Sequence, residues 1–289
     1  MVTHLMDRIP DAALPLIEGL KEVGGIQAVV LGGSRARGTH TPESDVDLGL
    51  YYRRAEPLDV RQLGQLAENV DDRKQSGLVT QIGGWGPRIN GGGWLMIGGK
   101  QVDLIYRDLD SVDHAVNESI AGRLQIDYQP GHPFGFLSSI YAAEVSVCLP
   151  LWDPLGKLES LKSRLAAYPP MLKQAMIRNF AWEILFSVEI AEKAIHRADV
   201  AFIAGALFRS LTCMLVVLFA LNEQPWLNEK GAMALTAGFT ICPERFKGRA
   251  ETAIAGLAAE RSCLEEAVAQ IRALGIEVET LAKRGSTRG

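Results

Sequence analysis

Three aspartates, Asp45, Asp47 and Asp103, are the residues whose type and spacing best fit a chemical role. Asp45 and Asp47 stand one residue apart in a stretch where apolar and polar residues alternate, which is typical of a β-strand and places both carboxylates on one face. Asp103 stands in a second alternating stretch, Gln101 to Tyr106. Carboxylate oxygens bind divalent cations such as Mg²⁺, so carboxylates on neighbouring strands predict a metal site.

Two divalent ions held about 4 Å apart suit a reaction in which a hydroxyl attacks the α-phosphorus of a nucleotide. Negative charge then develops on the entering, leaving and non-bridging oxygens, and the two ions neutralise it. In this interpretation Asp45 and Asp47 contact both ions, whereas Asp103 holds the ion that activates the attacking hydroxyl. The sequence therefore predicts that the three aspartates are both metal ligands and catalytic residues.

A Gly33-Ser34 pair follows a predicted buried strand, Ile26 to Leu31, and precedes the aspartates. Glycine lets a triphosphate approach the main chain closely, and the serine hydroxyl and nearby amides can donate hydrogen bonds to phosphate oxygens. The polar segment that follows is predicted to be a loop. Arg35 and Arg37 within it are candidate phosphate contacts, with ordinary solvated arginines as the alternative.

The order of these features resembles the signature of the DNA polymerase beta superfamily of nucleotidyltransferases. That signature has a Gly-Ser pair, a spacer, two aspartates flanked by apolar residues, and a third carboxylate on a later strand. Residues 35–44 form the spacer here, and Ser44 replaces the first apolar flank. The resemblance implies transfer of a nucleoside monophosphate from a nucleoside triphosphate, with ATP as the expected nucleotide and two Mg²⁺ ions as cofactors.

The pattern of apolar residues changes near residue 150 and divides the chain into two predicted domains. Residues 1–150 mix helix and strand patterns and correspond to the catalytic domain. Residues 151–289 show only helical periodicity, with the longest helices at Met171 to Arg197 and Val200 to Leu221. The predicted fold class is α+β: a polymerase-beta-like nucleotidyltransferase domain with a mixed sheet, followed by an all-α helical bundle.

This layout is similar to that of aminoglycoside and lincosamide nucleotidyltransferases, which implies a small acceptor that carries a hydroxyl. The chain has 30 Lys and Arg against 34 Asp and Glu and a formal net charge of -4. Proteins that hold nucleic acid along a groove are typically basic, so extended nucleic-acid binding is not expected. Two alternatives stay open: nucleotidylation of tRNA or protein, as in toxin–antitoxin systems, and a non-catalytic nucleotide-binding regulator.

Two residues outside the aspartate motif are further candidates. Glu144 lies on a predicted short helix near the domain junction, where its carboxylate is a candidate general base or a ligand for a cationic acceptor. Lys230 lies in a polar loop after a long apolar helix, where it is a candidate triphosphate contact across a cleft. The alternatives are a surface glutamate and an ordinary solvated lysine.

The features that bear on location favour the cytoplasm and no membrane association. The apolar stretch Ala201 to Leu221 has the length of a membrane span, but Arg209 in its middle favours a buried helix of a helical domain. The four cysteines lie far apart, without the spacing of a metal site or a redox pair, and are typical of reduced thiols.

Overall fold

The computed structural model describes residues 8–286, so the outer limits of the two predicted domains, residues 1 and 289, lie outside the described part. The strands are β1 (Ile26–Leu31), β2 (Val46–Tyr52), β3 (Gly92–Ile97), β4 (Lys100–Asp108), β5 (Ile126–Asp127), β6 (Phe136–Leu137) and β7 (Leu149–Trp152). The α-helices are α1 (Leu14–Leu20), α2 (Gly33–Arg37), α3 (Val60–Val70), α4 (Leu109–Ile120), α5 (Ile140–Val147), α6 (Lys157–Arg164), α7 (Pro170–Ala194), α8 (Val200–Leu221), α9 (Ala232–Leu235), α10 (Phe246–Ala255) and α11 (Arg261–Ser286).

Five strands form one mixed sheet in the order β3-β4-β2-β1-β7. The β2–β4 pair is parallel, and the other neighbouring pairs are antiparallel. The β3–β4 hairpin turns at Gly98 and Gly99, whose φ angles of 58° and 69° lie in the left-handed region that glycine adopts without strain. The mixed sheet and its helices confirm the predicted α+β fold class.

The two faces of this sheet differ in polarity. One face carries the alternating apolar residues of β2 and β4, which are fully buried against α1 and α3: Val46, Leu48, Leu50, Val102, Leu104 and Tyr106. The predicted alternation in Gln101 to Tyr106 is confirmed, because every second residue lies in this core. The strand residues between them, which include Asp47 and Asp103, therefore point to the opposite face.

The first compact unit takes in the chain up to Asn117, together with Ile126–Gly131 and Tyr141–Ala167. It continues past residue 150, where the sequence places the domain boundary, because β7 runs across that residue and pairs with β1. The sequence pattern does not reveal β7, since its four residues are all only half-buried and show no alternation.

The second compact unit comprises Glu118–Gln125, His132–Ile140 and the chain from Tyr168 onward. Residues 168–286 contain helices and turns but no strand, which confirms the predicted helical region. Helices α7 and α8 pack against each other, and α11 packs on both.

Helix α8 is, within residues 8–286, the one helix that is long and apolar enough to cross a membrane. Of the most apolar 18-residue segment of this helix, 67% is buried inside the protein. Arg209 in its middle donates hydrogen bonds to both carboxylate oxygens of Glu183 on α7 and to the Phe134 carbonyl at 3.1 Å. A charged group with these partners fits a helix that packs inside a folded unit.

The edge strand β3 is held by a buried carboxylate. Asp71 has no exposed surface, and it accepts hydrogen bonds from the Met96 amide of β3 at 2.7 Å and from the Arg73 guanidinium at 2.9 Å. The Arg73 hydrogen bonds, against the opposing effect of burial, lower the pKa of the Asp71 carboxyl to about 2. Because the pKa of Asp71 is lower in the folded state, the ionised carboxylate stabilises the fold fully above its usual pKa of 3.8. This contribution is lost as the pH falls through about 2.

We predict that Asp71→Ala lowers the free energy of unfolding by about 2 kcal/mol at neutral pH, because buried charge-assisted hydrogen bonds are lost. Chemical denaturation at a series of pH values measures this loss. Wild type should also lose more stability than the variant between pH 3.8 and about 2. Asp72→Ala is the control, since Asp72 accepts two main-chain hydrogen bonds but is exposed. Equal losses in both variants would contradict the role of burial.

Candidate functional site

Asp47 and Asp103 are direct neighbours in the parallel pair of β2 and β4. Residues paired in this way point to the same face, so both carboxylates lie on the sheet face opposite the apolar core. Both side chains are half-buried, and Gln101 Nε2 donates a hydrogen bond to Asp103 Oδ1 at 2.9 Å. The structure therefore brings together two of the three predicted metal-binding aspartates.

Asp45 immediately precedes β2, two residues before Asp47, and is also half-buried. Its carbonyl oxygen accepts a hydrogen bond from Arg35 Nε at 2.9 Å, which fixes the main chain at the start of the strand. Among residues 8–286 no group of three or more His, Cys, Asp or Glu side chains is arranged to hold a metal ion. The three-carboxylate metal site therefore stays a prediction.

Gly33 lies against the carboxylate of Asp47. The Gly32 amide donates a hydrogen bond to the Asp47 carbonyl at 2.8 Å, which brings the glycine pair beside β2. A Cβ atom on Gly33 would overlap the carboxylate oxygen of Asp47, and the φ angle of +58° also favours glycine. Glycine at this position therefore sets where the Asp47 side chain can lie.

The predicted loop Ser34 to Ser44 begins with the short helix α2, whereas residues 38–44 contain neither helix nor strand, as predicted. The helix ends at Gly38, whose φ of 71° is left-handed. Ser34, in the first turn, is half-buried, and Arg37, at the last position, is exposed. The first-turn amides of a helix have no intrahelical acceptor, so they remain able to bind an anion. The roles of Ser34 and Arg37 as nucleotide contacts stay predictions.

Arg35 is buried within this loop, with an exposed fraction of 5%. Its guanidinium donates hydrogen bonds to the carbonyls of Arg8, Ser44 and Asp45 at 2.9, 2.7 and 2.9 Å. Arg8 in return donates to the carbonyls of Arg35 and Ala36. These contacts tie α2 to the start of β2 and give Arg35 a positioning role, while its predicted contact with phosphate stays a prediction.

Glu144 on α5 forms an ion pair with a buried arginine of the same sheet face. Arg107 Nε and Nη2 donate to the two Glu144 carboxylate oxygens at 2.7 and 2.6 Å. The side chains of Arg107 and Glu144 are 4% and 27% exposed. Burial opposes the charge of Arg107, but the charge and hydrogen bonds of Glu144 outweigh it and raise the arginine pKa.

The Arg107–Glu144 pair lies along the strands from the aspartates. Arg107 follows Asp103 by four residues on β4, which separates their Cα atoms by about 13 Å at the rise of a strand. A general base needs hydrogen-bond reach to the proton that it removes. The predicted role of Glu144 as a base or acceptor ligand therefore stays a prediction, whereas its pairing with Arg107 is present in the structure.

Tyr51 lies beside this ion pair, because it is the register partner of Arg107 on β2. Burial, followed by the nearby Cys148 and Glu144, raises the pKa of the Tyr51 phenol well above its usual value of 10. The phenol therefore stays neutral. Gly49, the previous residue on this face, makes room for two neighbouring side chains, since a Cβ there would lie 2.8 Å from Val30 Cγ2 and 3.2 Å from Tyr51 Cε2.

Lys230 lies in the second compact unit, in the turn that leads to α9. Its side chain is exposed. The aspartates belong to the first compact unit, and the role of Lys230 as a triphosphate contact stays a prediction.

Sequence reasoning missed Trp94. This residue is the antiparallel register partner of Asp103 on β3, so its side chain lies on the same sheet face as the two aspartates. It is also one of the most exposed large apolar side chains of the described residues, at 60%. The signal was present in the sequence: a hairpin that turns at Gly98 and Gly99 pairs Trp94 with Asp103 by simple counting.

Comparison with known families assigns the N-terminal part of the chain. Residues 16–82 match the family model described as Nucleotidyltransferase domain. The matched range contains Gly33, Ser34, Asp45 and Asp47, and it ends before Asp103. The match confirms the predicted superfamily for this N-terminal segment, whereas the predicted domain limits of 1–150 and 151–289 stay predictions. A domain of this family supports nucleoside monophosphate transfer in general and leaves the acceptor, the nucleotide and the metal open.

Among solved structures, the chain is similar to a nucleotidyltransferase-like protein from Exiguobacterium sibiricum 255-15. The two are 12% identical with a TM-score of 0.43, and the alignment covers 96% of this chain and 78% of that chain. At this level of similarity the match supports no conclusion about activity. No curated relative matches the sequence.

We predict that Gly33→Ala weakens nucleotide binding, because the added methyl group displaces the Asp47 carboxylate. Calorimetric titration with ATP and Mg²⁺ should show at least a tenfold (about 1.4 kcal/mol) weaker affinity than wild type. Gly38→Ala is a matched control, since Gly38 has a similar positive φ of 71° but its Cβ would meet only Arg8, at 3.6 Å. Equal binding losses in the two variants would mean that backbone strain alone is responsible.

We predict that Glu144→Ala lowers the free energy of unfolding by about 3 kcal/mol, because it leaves Arg107 buried without its ion-pair partner. The double variant Arg107→Met/Glu144→Leu should recover most of this loss. Asp110→Ala provides the control, since its ion pair with Arg53 is exposed and should contribute little to stability. Similar losses of unfolding free energy for Asp110→Ala and Glu144→Ala would contradict a larger contribution from the buried Arg107–Glu144 pair.

Proposed function

We propose that this protein transfers a nucleoside monophosphate from a nucleoside triphosphate, with ATP as the expected donor, to a hydroxyl group of a small acceptor. The acceptor oxygen forms a bond to the α-phosphorus, and the bond from that phosphorus to pyrophosphate breaks. The hydroxyl proton passes to water or to a carboxylate near the acceptor. The observation that carries the proposal is the paired placement of Asp47 and Asp103 beside the Gly33 turn.

The donor set fits magnesium. Asp47 and Asp103 offer only oxygen atoms on one sheet face, and Asp45 adds a third carboxylate at the start of β2. Magnesium is commonly held by one or two protein carboxylates, with water and substrate phosphates as the remaining ligands. A site of this kind is complete only when the triphosphate is present. The two proposed Mg²⁺ ions, when bound, neutralise charge on the entering and leaving oxygens.

The triphosphate is proposed to lie on the β1 side of the aspartates, at the start of α2. The main-chain amides of Gly33 and Ser34 belong to the first helical turn, where they have no intrahelical acceptor and can donate to phosphate oxygens. The exposed Arg37 is proposed as a flexible phosphate contact, whereas Arg35 holds the loop in shape.

The acceptor is proposed to be a small molecule that carries hydroxyl groups and, in part, positive charge. The formal net charge of -4 favours a neutral or cationic acceptor over a polyanion such as tRNA. A cytoplasmic location is part of the same proposal, because nucleoside triphosphates are available there and the four cysteines are free thiols.

We predict that Asp47→Asn lowers turnover at least a hundredfold, because a neutral amide cannot neutralise a divalent cation or hold it as tightly. The measurement is pyrophosphate release from each of the four nucleoside triphosphates with Mg²⁺ and a panel of hydroxyl-bearing acceptors. Asp59→Asn is the matched control: Asp59 caps α3 through its side-chain oxygen, and asparagine can make the same hydrogen bond. This variant should keep wild-type turnover.

The same experiment separates an enzyme from a nucleotide-binding regulator. A regulator would bind nucleotide without releasing pyrophosphate with any acceptor, and Asp47→Asn would then change no turnover. Labelled nucleotide that appears in tRNA or protein, in place of the small acceptors, would overturn the proposed acceptor class while it retained the reaction.

A further inference from the structure

Trp94 and Trp85 form a pair of stacked rings beside Asp103, which we call the tryptophan platform. The ring centroids of Trp85 and Trp94 are 4.8 Å apart, with an angle of 25° between the planes. Trp94 is 60% exposed, while Trp85 is half-buried behind it. One face of Trp94 is therefore covered by Trp85, and its exposed surface remains open to a ligand.

The register of the β3–β4 hairpin places this platform next to the reactive carboxylates. Trp94 is the cross-strand partner of Asp103, and directly opposed Cβ atoms in an antiparallel pair lie about 4.5–5.5 Å apart. Asp103 in turn is the partner of Asp47 on β2. One row of side chains across the sheet therefore runs from Asp47 through Asp103 to Trp94.

Trp85 is seated on a glycine that leaves space for its ring. A Cβ atom on Gly92 would lie 1.9 Å from the Leu104 carbonyl oxygen, 2.6 Å from Trp85 Cζ3 and 2.8 Å from Trp85 Cη2. Gly92 precedes Trp94 by two residues on β3, so both positions belong to the same face of the strand. The indole of Trp85 therefore lies directly over the strand, where any larger residue at position 92 would displace it.

A buried glutamine fixes the loop that carries Trp85. Gln129 is 1% exposed, and its amide nitrogen donates to the Trp85 carbonyl at 2.6 Å. Its amide oxygen accepts hydrogen bonds from the main-chain amides of Arg88 and Ile89 at 3.0 and 3.1 Å. Because these bonds hold the loop main chain on both sides of residue 86, Trp85 is positioned before any ligand arrives.

The main chain of Trp94 is anchored as well. Arg73 Nη2 donates to the Trp94 carbonyl at 3.0 Å and also binds the buried carboxylate of Asp71. The edge strand is thus fixed on its outer side at the residue that carries the exposed indole. Preorganised aromatic surfaces of this kind lose little entropy when they bind a ring.

We propose that the tryptophan platform binds the acceptor, by stacking one face of a cyclic amino sugar or a comparable ring on Trp94 while a ring hydroxyl reaches Asp103. This inference rests on the proposed function. The Gly33 turn lies on the β1 side of the aspartates and the platform on the β3 side, so donor and acceptor are assigned to opposite sides of the carboxylate pair. An indole face binds both flat apolar ring faces and cationic groups, which matches an acceptor with ammonium substituents.

The test is calorimetric titration of wild type, Trp94→Ala and Trp94→Phe with kanamycin and lincomycin, both of which carry ring hydroxyls. The open-chain amino polyol N-methylglucamine is the control ligand. We expect at least one ring compound to bind wild type about tenfold more tightly than Trp94→Ala, with Trp94→Phe intermediate and no binding of the polyol. Trp182→Ala is the matched control variant, because Trp182 is equally exposed, at 60%, and contacts the Phe186 ring in the second unit, with centroids 5.5 Å apart and a tilt of 49°.

Steady-state kinetics provides the second measurement. Trp94→Ala should raise the acceptor KM about tenfold and leave the nucleotide KM within twofold, whereas Trp182→Ala should change neither. The inference is overturned when no ring compound distinguishes Trp94→Ala from wild type in binding, or when the variant raises the nucleotide KM instead. If a ring compound binds in a Trp94-dependent way but no pyrophosphate is released, the tryptophan platform is supported as a binding site and the proposed function is refuted. The failure of the inference and the failure of the proposed function are therefore distinguishable.

Discussion

The parallel register between β2 and β4 is the constraint on which the rest of this structure depends. Asp47 and Asp103 form one register pair of these two strands, and the pairs directly before and after it place their side chains on the other face of the sheet. The apolar pairs, such as Leu48 and Leu104, are fully buried against α1 and α3. Burial of that face fixes the register, because a shift by one residue would expose the core side chains. The carboxylates are therefore brought together by the packing of the opposite face.

Burying charged and polar side chains on the polar face of the sheet costs free energy, and neighbouring residues offset this cost by pairing with them. The buried charge of Arg107 would be strongly destabilising without Glu144. Burial also disfavours the ionised form of Tyr51, so its phenol is buried in the neutral form. Arg35 plays a corresponding part in the loop between β1 and β2, where it satisfies carbonyl oxygens that a sheet ladder leaves open. Arg35 thus holds the main chain beside the aspartates, whereas the exposed Arg37 is the better candidate for a ligand contact.

The sequence predicted the parts of this fold whose pattern is local. The strand Ile26–Leu31 and the helix Val200–Leu221 have the predicted bounds, because a continuous apolar run between turn or cap residues defines each of them. β7 could not be found in this way, since its pairing with β1 joins segments far apart in sequence. The burial of Arg35 was equally invisible, because its acceptors are main-chain carbonyls that no sequence pattern reports. The match to known nucleotidyltransferase domains covers the glycine turn and Asp47, whereas the ligand roles of individual side chains stay predictions.

Trp94 shows how the same register joins two kinds of chemistry on one surface. Its position opposite Asp103 follows from the two-residue turn of the hairpin, and its exposure follows from the place of β3 at the edge of the sheet. A central strand could not offer an indole to solvent in this way, because neighbouring side chains would cover it on both sides. A slip of one residue in the hairpin would turn Trp94 into the core and Leu95 out of it. The core packing that pairs the carboxylates therefore also orients the aromatic surface beside them.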